Sequence, residues 1–184
     1  GMGFRMSARM WSVFFLWRRG PPAFTLFPST TLFRSKAQGS TTASNKLFEV
    51  IKEAVEFSIE AWVIPANVSQ EMARIVSYSA GATTRNFTLQ QTLYDYDFQL
   101  RSTETSLNGD PALSTPAADQ VLQATLQHVV ATYNPIDGRR IYVNGNLVSN
   151  VDPIPGGTLF YWHDKLALHL GDEASSHVPG EDIR

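Results

Sequence analysis

Gln127-His128-Val129-Val130-Ala131-Thr132-Tyr133, followed by Asp137-Gly138-Arg139-Arg140-Ile141-Tyr142-Val143-Asn144-Gly145-Asn146-Leu147-Val148, decides the fold class. Val, Thr, Tyr and Ile dominate both runs, and such side chains suit a pleated, half-buried surface. Asn144-Gly145 offers two residues that tolerate positive φ, the requirement of a two-residue hairpin turn. Asn134-Pro135-Ile136-Asp137-Gly138 combines the fixed φ of proline with the permissive backbone of glycine and predicts a longer turn. The stretch therefore reads as three successive antiparallel strands.

Working outward, the same period recurs. Phe57, Ile59, Ala61 and Val63 alternate with Ser58, Glu60, Trp62 and Ile64, which predicts a strand ended by Pro65. Further strands are expected near residues 73–79, 86–91 and 97–102, with Gly81-Ala82-Thr83 as a turn between the first two. Residues 108–119 read as a turn-rich loop, and Val121 to Ala131 as a return to the sheet. Upstream, Ser44 or Asn45 is positioned to cap one short helix near residues 45–55, in which Leu47, Ile51 and Val55 repeat every four residues. Many short strands separated by turn signals indicate an all-β antiparallel sandwich or jelly roll. There is no internal repeat, coiled-coil heptad or phosphate-binding glycine loop.

Taken together, Phe57-Ser58-Ile59-Glu60-Ala61-Trp62-Val63, Arg74-Ile75-Val76-Ser77-Tyr78, the hairpin stretch and Leu168-His169-Leu170-Gly171-Asp172 resemble the laminin G-like jelly rolls of the concanavalin A-like lectin and glucanase superfamily. The resemblance covers roughly residues 44 to 173. It implies a concanavalin A-like sandwich and, by analogy, a non-catalytic module that recognises glycans or extracellular protein surfaces. It also implies an extracellular, periplasmic or cell-surface location within a larger exported bacterial protein that carries other domains. Fold-level analogy of this kind is specific for architecture and poor for ligand. The alternatives are a structural or adhesion spacer without a small ligand and a diverged glycoside hydrolase.

Charge is unevenly distributed. Arg5, Arg9, Arg18, Arg19, Arg34 and Lys36 precede residue 37, where there is no acidic residue, leaving nine basic against seventeen acidic side chains in the remainder, a balance of −8. An acidic body argues against a nucleic-acid partner and tolerates cations such as calcium. The absence of cysteine excludes disulfides and thiolate metal sites. The apolar run Met10 to Trp17 is too short to span a bilayer, so no membrane insertion is expected. Residues 1–35, from Phe14-Phe15-Leu16 through Thr25-Leu26-Phe27-Pro28, resemble translated sequencing-adapter sequence, with a degenerate signal peptide as the alternative. Residues 36–43 read as a linker and 44–184 as the jelly-roll domain. The family usually closes with a further strand, and Ser175 to Arg184 contains none, so the domain reads as a fragment lacking terminal strands.

Among sites, Tyr94-Asp95-Tyr96-Asp97 is the leading candidate. Alternation places both carboxylates on one face and both phenols on the other, an arrangement suited to a calcium ion at Asp95 and Asp97 with flat rings for a sugar. Paired aspartates at a strand end are also commonly just solvated, and sheet tyrosines commonly half-buried packing. Tyr161 and Trp162, beside Gly156-Gly157, form a second candidate stacking platform. Asp172 and Glu173 are weaker calcium candidates. Glu56-Phe57-Ser58-Ile59-Glu60 resembles the catalytic strand of glucanases on this superfold, but Ser58 replaces the central aspartate. Carboxylates four residues apart on a strand also start roughly 13 Å apart at Cα, against the 5–5.5 Å needed for retaining hydrolysis. No catalytic residue is therefore expected. His128, His163, His169 and His177 lack metal-ligand spacing, Ser77 and Ser79 lack a nucleophile turn, and the sequons at Asn67 and Asn86 matter only in a eukaryotic secretory pathway.

Overall fold

The computed structural model describes residues 9–16, 24–25, 37–149 and 151–171. Its elements are β1 (Arg9–Leu16), β2 (Phe24–Thr25), β3 (Ala37–Gln38), α1 (Thr41–Ala54), β4 (Phe57–Ile64), β5 (Gln70–Gly81), β6 (Thr84–Leu93), β7 (Asp95–Leu100), β8 (Leu113–Ser114), β9 (Gln127–Asn134), β10 (Gly138–Val143), β11 (Asn146–Leu147) and β12 (Ala167–Leu170). They form two six-stranded antiparallel sheets, ordered β11-β10-β9-β4-β1-β2 and β3-β12-β5-β6-β7-β8. The all-β sandwich expected from the sequence is the observed architecture.

The alternation in β4 is realised residue for residue. Phe57, Ile59, Ala61 and Val63 are buried, while Trp62 is exposed and Ser58, Glu60 and Ile64 are half-buried. Register then builds the core in rows, because residues directly opposite one another in a ladder share a face. The first sheet contributes Ile59-Ala131-Ile141 and Ala61-Val129-Val143. The second contributes Leu170-Val76-Leu89-Phe98-Leu113 and Leu168-Tyr78-Phe87-Leu100. Each fully buried Val, Leu, Ile or Phe in these rows is worth about 1.5–3 kcal/mol of transfer free energy. The opposite face of the second sheet is polar: His169, Ser77, Thr88 and Gln99 align across four strands and are all buried.

Local expectations meet the structure unevenly. Asn144 and Gly145 adopt φ of 51° and 84° and close the β10–β11 hairpin as read. The helix starts earlier than expected, at Thr41, with Ser40 as N-cap accepting the Ala43 amide, so within the expected linker residues 37–38 form β3 and residues 41–43 open the helix. Ser44 is instead a joint: its hydroxyl donates to the Ser40 carbonyl and accepts the Leu168 amide at 3.0 Å, tying α1 to β12. The sheet resumes at Gln127, not Val121, since residues 121–126 run as loop and Leu122 alone of them is buried. Along β4, β1 pairs antiparallel from Arg9 opposite Ile64 to Leu16 opposite Ser58, with one irregularity between Met10 and Ser12. The remainder of residues 1–36, and Asp172, Glu173, His177 and the C-terminal stretch, lie outside the described residues.

Candidate functional site

The outward-facing half of β4, β9 and β10 carries a different chemistry from the half that fills the core. Ladder register sets Ser58 beside Thr132 and Thr132 beside Arg140, then Glu60 beside Val130 and Val130 beside Tyr142, then Trp62 beside His128. Hydroxyls, a guanidinium, a phenol and an indole thus follow one another on a sheet whose other face is packed. Above them lies an open groove of about 750 Å³, lined by Glu56, Ser58, Thr132, Asn134, Arg140 and Tyr142 among others.

Charges at this face are mostly spent on one another. Arg140 pairs with Asp137 at 3.0 Å, and the Asn134 amide donates to the same carboxylate at 3.0 Å while its carbonyl oxygen accepts the Ile136 and Asp137 amides. That Asn134 cap shapes the 135–137 turn, so the turn proline and glycine read from sequence also position a groove wall. Further along, His128 Nε2 meets Glu60 Oε1 at 2.6 Å, and the His128 ring stacks on Trp62 with centroids 4.5 Å apart. His128 is therefore a hydrogen-bonded, stacked histidine. Glu60, held by His128, is not a free carboxylate, and Glu56 has no ion-pair partner among the described residues.

The sequence-derived candidates separate in space. Tyr94 is exposed, but Tyr96 is fully buried and donates its hydroxyl to Gln127 at 2.8 Å, which corrects its expected place on a ligand face; burial raises its pKa. Trp162 is likewise a core residue, its indole N–H donating to the Arg101 carbonyl at 2.8 Å, while Tyr161 stands half-exposed against Phe160. Rings open to a ligand therefore remain at Tyr94 and Tyr161 alone of that set. A tyrosine or tryptophan inside a core needs a partner for its polar atom, and Gln127 and the Arg101 carbonyl supply it.

Asp95 and Asp97 do share a face of β7. Asp97 accepts the Ser114 hydroxyl at 2.6 Å, whereas Asp95 Oδ1 is buried without a hydrogen-bond partner among the described residues, as is Gln90 Oε1 on the neighbouring strand. Burial, and secondarily the charge of Asp97, push the Asp95 carboxyl above its ordinary range. A raised native pKa means that stability is fully present while Asp95 is protonated in both states and is lost as pH rises through the native value. Asp95→Asn is accordingly expected to raise the urea midpoint at pH 7 in the presence of chelator, with the gain disappearing near pH 3.5. An equal midpoint in parent and variant at pH 7 would contradict it. Among the described residues no group of three or more His, Cys, Asp or Glu converges as a metal site.

Sequence reasoning missed the groove. Its residues are ordinary strand residues one by one, and only the β4–β9–β10 register gathers them. The family model described as Concanavalin A-like lectin/glucanases superfamily, of laminin G type, matches residues 35–181. No curated protein matches the chain.

Proposed function

This chain belongs to the laminin G-like branch of the concanavalin A-like lectin/glucanase superfamily, and on that premise we propose that it is a non-catalytic recognition module whose groove over β4, β9 and β10 binds a glycan. The family accommodates carbohydrate- or protein-binding modules and is typically non-catalytic and extracellular, although the superfamily includes glycosidases. The observation that carries the reading is the row of Ser58, Thr132 and Arg140, with Tyr142 in the next row, on a sheet face open to solvent along one groove. Hydroxyl and guanidinium groups suit sugar hydroxyls, and the phenol and the neighbouring Trp62 ring suit the apolar face of a pyranose. Hydrolysis is disfavoured because Glu60 is engaged by His128, which leaves Glu56 without a second free carboxylate beside it among the described residues.

The proposed unit is the family-matched segment, with residues 1–34 standing outside it. Its setting is an exported or surface-exposed parent chain, and among the described residues no helix is long and apolar enough to cross a membrane. A glycan array followed by titration of the best ligand tests the reading. Arg140→Ala/Tyr142→Ala is expected to weaken binding at least about tenfold while leaving the melting temperature within a few degrees, since both side chains face the groove. Full affinity in the double variant would place the ligand elsewhere. No glycan bound by folded protein would favour the spacer reading.

A second reading concerns calcium. The orphaned oxygens of Asp95 and Gln90, with Asp97 alongside, are hard donors of the kind calcium takes. If they hold the ion, calcium raises the melting temperature of the parent and not that of Asp95→Asn in the midpoint experiment above. With Tyr94 exposed beside them, such an ion would form a second, smaller contact point.

A further inference from the structure

We propose that the groove selects saccharides bearing a free amino group, with the Glu56 carboxylate as the acceptor of the ammonium. This rests on the glycan reading of the groove and narrows it. The charges on this face pair off: Arg140 with Asp137, which Asn134 also holds, and Glu60 with His128. Glu56 is what remains, half-buried at the groove wall and without an ion-pair partner among the described residues. A ligand cation placed there gains a charge-assisted hydrogen bond that no described protein group already supplies. The converse holds for acidic ligands. Arg140, the one guanidinium lining the groove among the described residues, is already paired with Asp137, so a sulfate or carboxylate meets an uncompensated Glu56 and no unspent positive charge among those residues. The acidic balance of the chain after residue 36 adds a field of the same sign.

The ligand chemistry is further bounded by what surrounds Glu56. One free carboxylate among hydroxyls is too few hard ligands for a divalent ion, which takes six to eight oxygens or an octahedral shell. A peptide recognised through its backbone uses the edge of a sheet, whereas this groove lies on a face, across three hydrogen-bonded strands. Ser58 and Thr132 next to Glu56, and the Tyr142 ring one row further on, fit a hydroxylated ring with a single cationic substituent. In β geometry successive same-face rows are about 6.6 Å apart, so ring and carboxylate contacts fall on neighbouring parts of one short oligosaccharide.

Titration calorimetry on the full chain, at pH 6 and low salt, tests this with four probes: a glucosamine oligomer, its fully N-acetylated counterpart, a sulfated heparin fragment and a lysine-rich peptide. The expected result is that the glucosamine oligomer binds about tenfold more tightly than the acetylated one, that this margin shrinks as salt is raised, and that the heparin fragment binds least. Glu56→Gln should bring the affinities of the amino and acetylated oligomers to within about twofold of one another, with the larger loss falling on the glucosamine oligomer. Equal binding of the two oligomers by the parent would overturn the amino-group selectivity and leave the groove's glycan reading standing. A preference for heparin, or binding of the peptide alone, would overturn the selectivity. Absence of binding by any saccharide would sink both, and a margin that survives in Glu56→Gln would remove Glu56 from the role.

Discussion

Asp152→Ala is expected to destabilise the domain by about 3–5 kcal/mol, the cost of breaking a buried ion pair on one side only. The Asp152 carboxylate accepts the Arg139 backbone amide at 2.7 Å and its Nε and Nη2 groups at 3.0 and 2.7 Å, and both side chains are nearly inaccessible to water. Arg139 Nη1 continues across the sandwich to the carbonyls of Phe98 and Pro111, at 3.2 and 2.8 Å. The guanidinium therefore joins β10 in one sheet to β7 and the loop before β8 in the other. Gly138 belongs to the same arrangement, since at φ 73° an added Cβ would lie 2.9 Å from the Asp152 carboxylate. Without Asp152 the guanidinium stays buried and unpaired, and urea unfolding should show the loss as a lower midpoint. The double variant Arg139→Met/Asp152→Leu should recover at least half of it, because removing both charges also removes their desolvation penalty. A loss below about 1 kcal/mol in the single variant would show that the pair does not hold the sheets together.

Phe57→Ala should cost a comparable 3–5 kcal/mol. The Phe57 ring lies at centroid distances of 5.5 Å from Phe87 and Trp162, 6.1 Å from Tyr133 and 6.2 Å from Phe98. Those four rings come from both sheets and from the loop before β12, so no single neighbour can relax into the void. Burial and the nearby Asp152 charge push the Tyr133 phenol up to about 12, partly offset by Arg139, which keeps the neighbouring ring neutral at all ordinary pH. Ser58 follows Phe57 on the opposite face of β4, so the proposed glycan binding should fail in this variant along with stability, and return with it on cooling. Phe57→Leu, which keeps most of the volume, is expected to lose less than half as much. A Phe57→Ala variant with an unchanged urea midpoint would refute the central position given to this ring.

How far such features are legible in the amino-acid order depends on the range of the interaction that produces them. Asn144-Gly145 and the apolar alternation of β4 are local signals, and both are realised. β6 and β7 alternate in the same way, Phe87 and Leu89 with Thr88 and Gln90, and Tyr96, Phe98 and Leu100 with Asp97 and Gln99, but alternation alone does not reveal that the polar set is buried as well. Trp162 and Tyr96 looked like ligand rings because a polar tip usually seeks water, and nothing near them in the chain announces Arg101 or Gln127 as the internal partner. Asp152 sits in a proline- and glycine-rich loop with no periodicity to read. Glu56, Thr132 and Arg140 become one site only when β4, β9 and β10 are laid side by side.

That long-range pairing also governs how the domain comes into being. Glu60 and His128 are 68 positions apart, and Ser44 and Leu168 are 124 apart. Chains dominated by such distant pairings fold in milliseconds to seconds rather than microseconds. On a ribosome adding 5–20 residues per second, β4 waits roughly 3–14 s for β9 to be made. Throughout that interval Phe57, Ile59, Ala61 and Val63 form an apolar strand with no partner from β9, the kind of segment that holdase chaperones capture and that aggregates when they do not.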